Sequence, residues 1–277
     1  FGRGQDRNGA KRTCYMSEDD MVGYEDHYVQ STERHPMQVL AALIPNRGGL
    51  SANIGVEMDN YWFSAKALDV MQFELPNATF KDATGLVNWQ RAVKSEAELG
   101  FMRNAGRIVE RMHERIFEMI EPGMRKCDLV ADIYDAALRY HEEDGFGGDY
   151  PALVPLLPSG IDASAPHLTW DDHPLNANEG TFFEIAGVYR RYHCPLSRTI
   201  YLGKPTQIFR DAEMAVLEGL EAGLETAKAG NVCEDVAKAF FDVLEKYGII
   251  KDNRTGYPIG ISYPPDWGER TMSLRAG

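Results

Sequence analysis

The stretch Thr181-Phe-Phe-Glu-Ile-Ala-Gly-Val-Tyr-Arg-Arg-Tyr-His-Cys-Pro-Leu-Ser-Arg-Thr199 constrains this chain more than any other. It reads as two β-strands joined by a tight turn. The first strand carries a single acid, Glu184, flanked by Phe182, Phe183, Ile185 and Ala186. Burying a carboxylate among such neighbours is costly unless it has a partner or a task. Two readings stay open on these residues alone: a glutamate on an exposed edge or in a structural ion pair, or a carboxylate that does chemistry.

A chain of 277 residues makes one large or two medium domains. Its net charge of −13 argues against nucleic acid, whose phosphates are held by clustered Lys and Arg. Cys14, Cys127, Cys194 and Cys233 are far apart and form no C-x-x-C pair, which favours reduced thiols and a cytoplasmic location over disulfides or a zinc site. No apolar run approaches about 18 residues, so no membrane span is expected, and no secretory leader is recognisable. The chain starts at Phe1 and stops after Leu274-Arg-Ala-Gly277, which reads as a fragment lacking both natural ends.

The periodicity divides the chain at residues 1–91 and 92–277. The first part is expected to be a smaller, incomplete α/β unit. It has a strand at Ile54–Glu57, a helix from Phe63 to Glu74 stopped by Pro76-Asn77, and a strand at Phe80–Thr84. In the second part Ser95 and Glu98 form a capping box opening a helix that runs towards Ile120. Asp128 is expected to cap a second helix through Tyr140, and Gly145-Phe-Gly-Gly148 to form a flexible turn. Leu153–Leu157 reads as a strand near an edge because of its proline. The central strands 181–187 and 191–202 follow, then helices at about 207–228 and 232–247, the first closed by Gly230, and a long loop from Thr255 to Arg270. The order predicts an α+β fold, helices on one side of a curved, mostly antiparallel sheet whose concave face can take a small ligand.

The same residues resemble the creatinase/prolidase, or pita-bread, family (peptidase M24). Arg91-Ala-Val-Lys-Ser95 with Glu98 and Met102 looks like that family's entry into its catalytic domain, and Ser159-Gly160 with Ala163-Ser-Ala-Pro-His167 looks like the segment supplying its proton-shuttling histidine. The resemblance places Glu184 and Pro195 on the hairpin's two aspartate metal ligands, and Tyr257, in Thr255-Gly-Tyr-Pro-Ile-Gly260, on a histidine ligand. Proline has no side-chain donor, so these departures imply a metal-independent site with no cofactor. The family's two remaining glutamate ligands would fall beyond residue 277.

One subgroup is more similar still, the ectoine hydrolases. The shared words are Gly2-Arg-Gly-Gln-Asp6, His27-Tyr-Val-Gln-Ser-Thr-Glu-Arg-His-Pro36, Gly147-Gly-Asp-Tyr-Pro151, Ala165-Pro-His-Leu-Thr-Trp-Asp-Asp172, Tyr192-His-Cys-Pro-Leu-Ser-Arg-Thr199 and Tyr263-Pro-Pro-Asp-Trp-Gly-Glu-Arg270. This resemblance implies opening of the zwitterionic amidine ectoine, and of 5-hydroxyectoine, to N-acetyl-2,4-diaminobutyrate derivatives, with a deacetylase acting downstream. It also implies a homodimer, with Arg34-His35 and Asp59-Asn60-Tyr61 as candidates to reach a neighbouring subunit's site.

The residues then take expected roles. Glu184 either attacks the carbon between the two ring nitrogens or activates water as a base. His167 moves protons to the departing nitrogen, since imidazole changes charge near neutral pH. Arg198 is the nearest candidate along the sequence for the substrate carboxylate, with a structural salt bridge as the other reading. Tyr257 donates a hydrogen bond to substrate or to Glu184, and Trp170 stacks on the flat amidinium. His193 is a substrate-binding candidate pointing to the opposite sheet face from Tyr192 and Cys194. Cys194 itself reads as a small buried hydrophobe. Rival readings are a metal-free creatinase-like hydrolase of another amidine or guanidine, a non-catalytic binding protein on the same scaffold, and a metal-dependent peptidase.

Overall fold

Ser95 starts the helix that organises the second part of the chain. Its hydroxyl accepts from the Glu98 backbone N–H, and the Glu98 carboxylate accepts from the Ser95 N–H at 2.8 Å. These bonds, the Ser95 backbone donor foremost, hold the Glu98 carboxyl down to about 2. The computed structural model describes residues 1–45, 51–141, 147, 150, 155–263 and 266–275. They fall into two compact units, Phe1–Val87 and Asn88–Gly277.

In the first unit, strands β1 (Gly2–Arg3) and β2 (Gly23–Tyr24) pair in parallel, with helix α1 (Arg7–Thr13) between them in sequence. Helix α2 (Pro36–Leu43) begins with His35 as its cap, the ring Nδ1 accepting from the Met37 N–H at 3.2 Å. Strand β3 (Asn53–Val56) pairs in parallel with β4 (Thr79–Asp82), joined through helix α3 (Ala65–Glu74), which Ser64 caps. Met71, Leu75 and Ala41 form the small core, where α2 and α3 meet Ile54 and Phe80. A short helix, α4 (Leu86–Gln90), leads on towards the second unit.

In the second unit α5 (Glu96–Met119) buries Ile108, Val109, Met112 and Ile116 along one stripe. The stripe packs on Leu129 and Ile133 of α6 (Lys126–Arg139) and on Phe183 and Ile185 of strand β5 (Gly180–Tyr189). Strand β6 (Tyr192–Tyr201) pairs antiparallel with β5 from Gly180↔Tyr201 to Tyr189↔Tyr192. Arg190 and Arg191, at φ 50° and 71°, make a two-residue turn with both positions left-handed. Their guanidiniums lie over the rings of Phe101 and Tyr150, at 5.5 and 4.0 Å, contacts that offset part of the backbone strain. Gly187 is required where α5 crosses β5, since a Cβ there would lie 2.1 Å from the Ala105 carbonyl oxygen.

The sheet continues beyond the hairpin on both sides. Leu156 and Ser159 bridge antiparallel to Glu184 and Thr181, while Ile261 bridges to Tyr192. The strand expected at Leu153–Leu157 therefore has Leu156 paired with β5; its residues 153 and 154, and most of the turn expected at Gly145–Gly148, lie outside the described residues. Thr255–Arg270 holds no helix or strand among its described residues, in keeping with the expected loop, but isolated bridges tie it down. It folds back on itself through Ile259↔Gly268 and Gly256↔Leu274, because backbone groups beside a sheet edge find partners there. Asp128 does not cap α6. Arg125 holds the cap position, and its guanidinium takes both Asp128 oxygens at 2.7 and 2.8 Å. Helices α7 (Gln207–Thr226), capped by Thr206, and α8 (Cys233–Lys246) pack together through Ala215, Phe240 and Leu244. No helix among the described residues is long and apolar enough to cross a membrane. The architecture is α+β, as the element order predicts.

Candidate active site

Side chains alternate along a strand, so β5 has two unlike faces. Phe183 and Ile185 face α5, whereas Glu184 points the other way with Ala186 and Val188. The backbone N–H and C=O of Glu184 both bond to Leu156 at 3.1 Å, and Ser197 stands opposite it on β6. The carboxylate is therefore carried where the backbone is held on both sides, by β6 and by the bridge to Leu156, a rigid mount for a reacting group. Glu184 is half-buried. Burial pushes its carboxyl above the usual carboxylate range, and the charge of His167 opposes that shift in part.

Beside Glu184, Ala186 and Val188 pack with Trp267, Tyr150 and Tyr257. The Tyr257 hydroxyl accepts from the Trp267 indole N–H at 2.8 Å, which leaves its own hydrogen to donate. Burial first, then the negative charge of Glu184, pushes the Tyr257 phenol up, so it remains a protonated donor at neutral pH. The segment carrying both aromatics is tied down at Glu269. That carboxylate is 3% exposed and takes Lys94 Nζ at 2.6 Å, while Arg91 Nε stands 3.8 Å from its other oxygen. The Glu269 carbonyl accepts from Asn88 Nδ2 at 2.6 Å, and the His193 N–H donates to the Gly260 carbonyl at 2.9 Å.

His167 arrives from the other side of the sheet. The chain leaves the edge at Ser159, whose hydroxyl bonds to Thr181 at 2.9 Å, and turns at Gly160 with φ 57°. It then makes a short 3-10 turn over Gly160–Ser164 and exposes His167 in the turn closed by the Leu168 N–H on the Ala165 carbonyl. A cavity of about 320 Å³ opens here, lined by Ala163, Pro166, Phe182, Thr199 and Phe209. Phe182 and Thr199 are partners in the hairpin and lie on the same face as Glu184, two pairs further along.

Glu184 thus lies within electrostatic reach of both His167 and Tyr257. His193 shares their face through its pairing with Val188; it is fully buried, its Nδ1 lies 2.9 Å from the Arg191 carbonyl, and its ring meets Tyr150 edge-on. Arg198 and Trp170 are not brought to Glu184. Arg198 pairs with Phe183, which puts it on the α5 face, where its charge acts on His113. Trp170 packs against the cluster that contains Phe183 and Ile185 and lines a separate cavity with Lys126 and Asp171. Cys194 also faces α5, and burial pushes its thiol up, away from the reactive thiolate. In the first unit the His35 ring is engaged as a helix cap and Asn60 bonds to Glu57 at 2.9 Å. The sequence reasoning missed Trp267 and Arg254. The Arg254 guanidinium carbon lies 4.4 Å from the centre of the Tyr257 ring, a contact that no periodicity announces because it is made within an irregular segment.

The donor set around Glu184 does not fit the two-metal centre of the family that the sequence resembles. Pro195, opposite Ala186, offers no donor atom, and the Tyr257 oxygen already accepts from Trp267. Among the described residues no three His, Cys, Asp or Glu side chains converge to hold a cation.

Comparison with known proteins bears on the fold and the family. The family described as Metallopeptidase family M24 matches residues 100–277. The ectoine hydrolase of Halomonas elongata is 57% identical over 280 residues, covering 99% of this chain and 70% of that protein. Among solved structures, dipeptidase PepE from Mycobacterium ulcerans superposes with a TM-score of 0.76 at 22% identity, covering 100% of this chain and 69% of that one. The Xaa-Pro dipeptidase from Bacillus anthracis gives 0.75 at 20% identity, covering 100% and 72%. These two likenesses show the pita-bread fold. From its fold, its matched residues and its identity to a hydrolase over nearly its whole length, the chain belongs to metallopeptidase family M24.

Proposed function

We propose that this protein hydrolyses ectoine, opening the ring at a carbon–nitrogen bond to N-acetyl-2,4-diaminobutyrate, and does so without a metal. The observation that carries the reading is Glu184, a half-buried carboxylate of raised proton affinity facing His167 and Tyr257, in a chain 57% identical to an ectoine hydrolase. The substrate ring is an amidinium, already polarised by its own positive charge, which does the work a Lewis acid would otherwise do. Glu184 adds through one oxygen to the carbon between the nitrogens. His167 then gives a proton to the departing nitrogen as the carbon–nitrogen bond breaks, leaving an imidate on Glu184. Water adds to the imidate carbon and gives one proton back to His167, and the Glu184 carboxylate leaves as the carbon becomes the acetyl group of the amide and the freed amine takes the last proton. Tyr257, a neutral donor beside Glu184, donates to the Glu184 oxygen as the negative charge returns to it on leaving. A homodimer is part of the reading, on family resemblance. The acetylated amine formed calls for a deacetylase to consume it.

The test is to incubate the purified full chain with ectoine while measuring bound metal. Ring opening that survives a chelator, with metal far below one ion per chain, is the expected result. A folded protein that leaves ectoine intact, or one whose activity follows its metal content, overturns the reading.

The titration of Glu184 supplies a second check. Only the ionised carboxylate attacks, so activity rises with pH through its pKa. In the free enzyme burial raises that value, which puts the acid limb of kcat/KM above the ordinary glutamate value of about 4.3. The bound amidinium favours the ionised form, so the acid limb of kcat is expected at lower pH than that of kcat/KM. Coincident limbs would point to a different titrating group.

A further inference from the structure

A zwitterionic ring presents opposite charges a few bonds apart, and a site that selects it has to answer both. Glu184 answers the amidinium. Arg198 is on the other face of the sheet, as its pairing with Phe183 requires. Arg254 is placed differently. It is exposed, and its guanidinium carbon lies 4.4 Å from the centre of the Tyr257 ring. That ring packs with Ala186 and Val188 on the face of Glu184. The contact holds the arginine by its charge against an aromatic face, without using its N–H donors. Among the described residues Arg254 has no carboxylate partner. The Tyr257 hydroxyl experiences both the negative charge of Glu184 and the positive charge of Arg254, so both charges act on one ring.

We propose that Arg254 binds the carboxylate of the substrate, with the Tyr257 ring as the spacer between it and Glu184, and so restricts the site to cyclic amidines that carry an acid. The assignment rests on the ring-opening reading above and deepens it. A planar guanidinium with free in-plane donors suits a carboxylate, and the spacing set by one aromatic ring suits a substrate whose two charges are fixed on a single small ring. Glu184 and Arg254 then orient the ring, so that the electrophilic carbon faces Glu184.

The experiment compares ectoine with the same methylated tetrahydropyrimidine ring lacking its carboxylate, on wild type, Arg254→Met and Arg254→Lys of the full chain. For ectoine, Arg254→Met is expected to raise KM by about 10- to 100-fold with kcat within about threefold, and Arg254→Lys to recover part of that loss. For the carboxylate-free ring the three proteins should agree within about twofold. An unchanged KM for ectoine overturns the assignment. So does a parallel fall in kcat/KM for both rings, because that is the signature of a disturbed Tyr257 rather than a lost carboxylate contact. If wild type opens neither ring, the hydrolase reading itself has failed, and this assignment with it; if wild type works and Arg254→Met behaves like it, only the arginine's role is lost.

Discussion

Glu184→Gln is expected to lower the rate of ectoine opening by at least about 10³-fold while leaving a protein that folds and still binds the ring. The amide has nearly the shape of the carboxylate, and the strand that carries it is held on both edges, by Leu156 and by β6. Folding should therefore be little affected. The substitution even removes a group whose ionised form is disfavoured by burial. What is lost is the nucleophilic charge. Single-turnover kinetics measures the chemical step, and calorimetric titration with ectoine measures binding. An acid quench of wild type during turnover, followed by mass measurement of the peptide containing Glu184, separates the two roles open to this residue. Attack predicts an added mass on that peptide, and general base action predicts none. A Gln variant that turns over normally would remove Glu184 from the mechanism altogether.

Lys94→Met is expected to destabilise the second unit by about 3 kcal/mol or more, the usual effect of leaving a buried charge without its partner. Lys94 and Glu269 are 9% and 3% exposed, and their atoms are 2.6 Å apart. With the lysine removed, Glu269 keeps only Arg91 among the described residues, at 3.8 Å and too distant for a hydrogen bond. The double variant Lys94→Met/Glu269→Met removes both charges together and should recover most of the loss, since an ion pair replaced by apolar groups of similar size is often neutral in stability. Denaturant midpoints of the three proteins test this. A double variant no better than Lys94→Met alone would show that the pair acts through packing, not charge. The pair has functional weight as well, because Glu269 anchors the segment that carries Tyr257 and Trp267.

Much of the scaffold was legible because its signals are local. The capping box at Ser95 and Glu98 depends on a three-residue spacing, and the helix forms where that spacing says it should. The hairpin is written in its own residues, and its two-residue turn at Arg190-Arg191 also sets the register from Gly180 to Tyr201. Asp128 shows the limit of such reasoning. It is an acceptable cap by type, yet the neighbouring guanidinium of Arg125 occupies both its oxygens. The segment after Thr255 is the expected loop, but its ties were hidden for a related reason. Its Gly, Pro and Tyr content is that of a loop, but its pairings are with residues far along the chain, such as Ile261 with Tyr192.

The amino-acid sequence alone determined the α+β class and the hairpin, because each rests on residue type at short, countable spacing; the family resemblance, beside those local signals, supplied Glu184, His167, Tyr257, His193, Arg198 and Trp170 as candidates for the site. Tertiary structure decided which of those candidates share a surface. Strand pairing put Arg198 beside Phe183 and away from Glu184, Trp170 came to rest half-buried against the core under α5, and the folded-back segment set Trp267 and Arg254 around Tyr257. A strand pattern records that side chains alternate, but which side becomes the concave one is settled only when α5 covers the other.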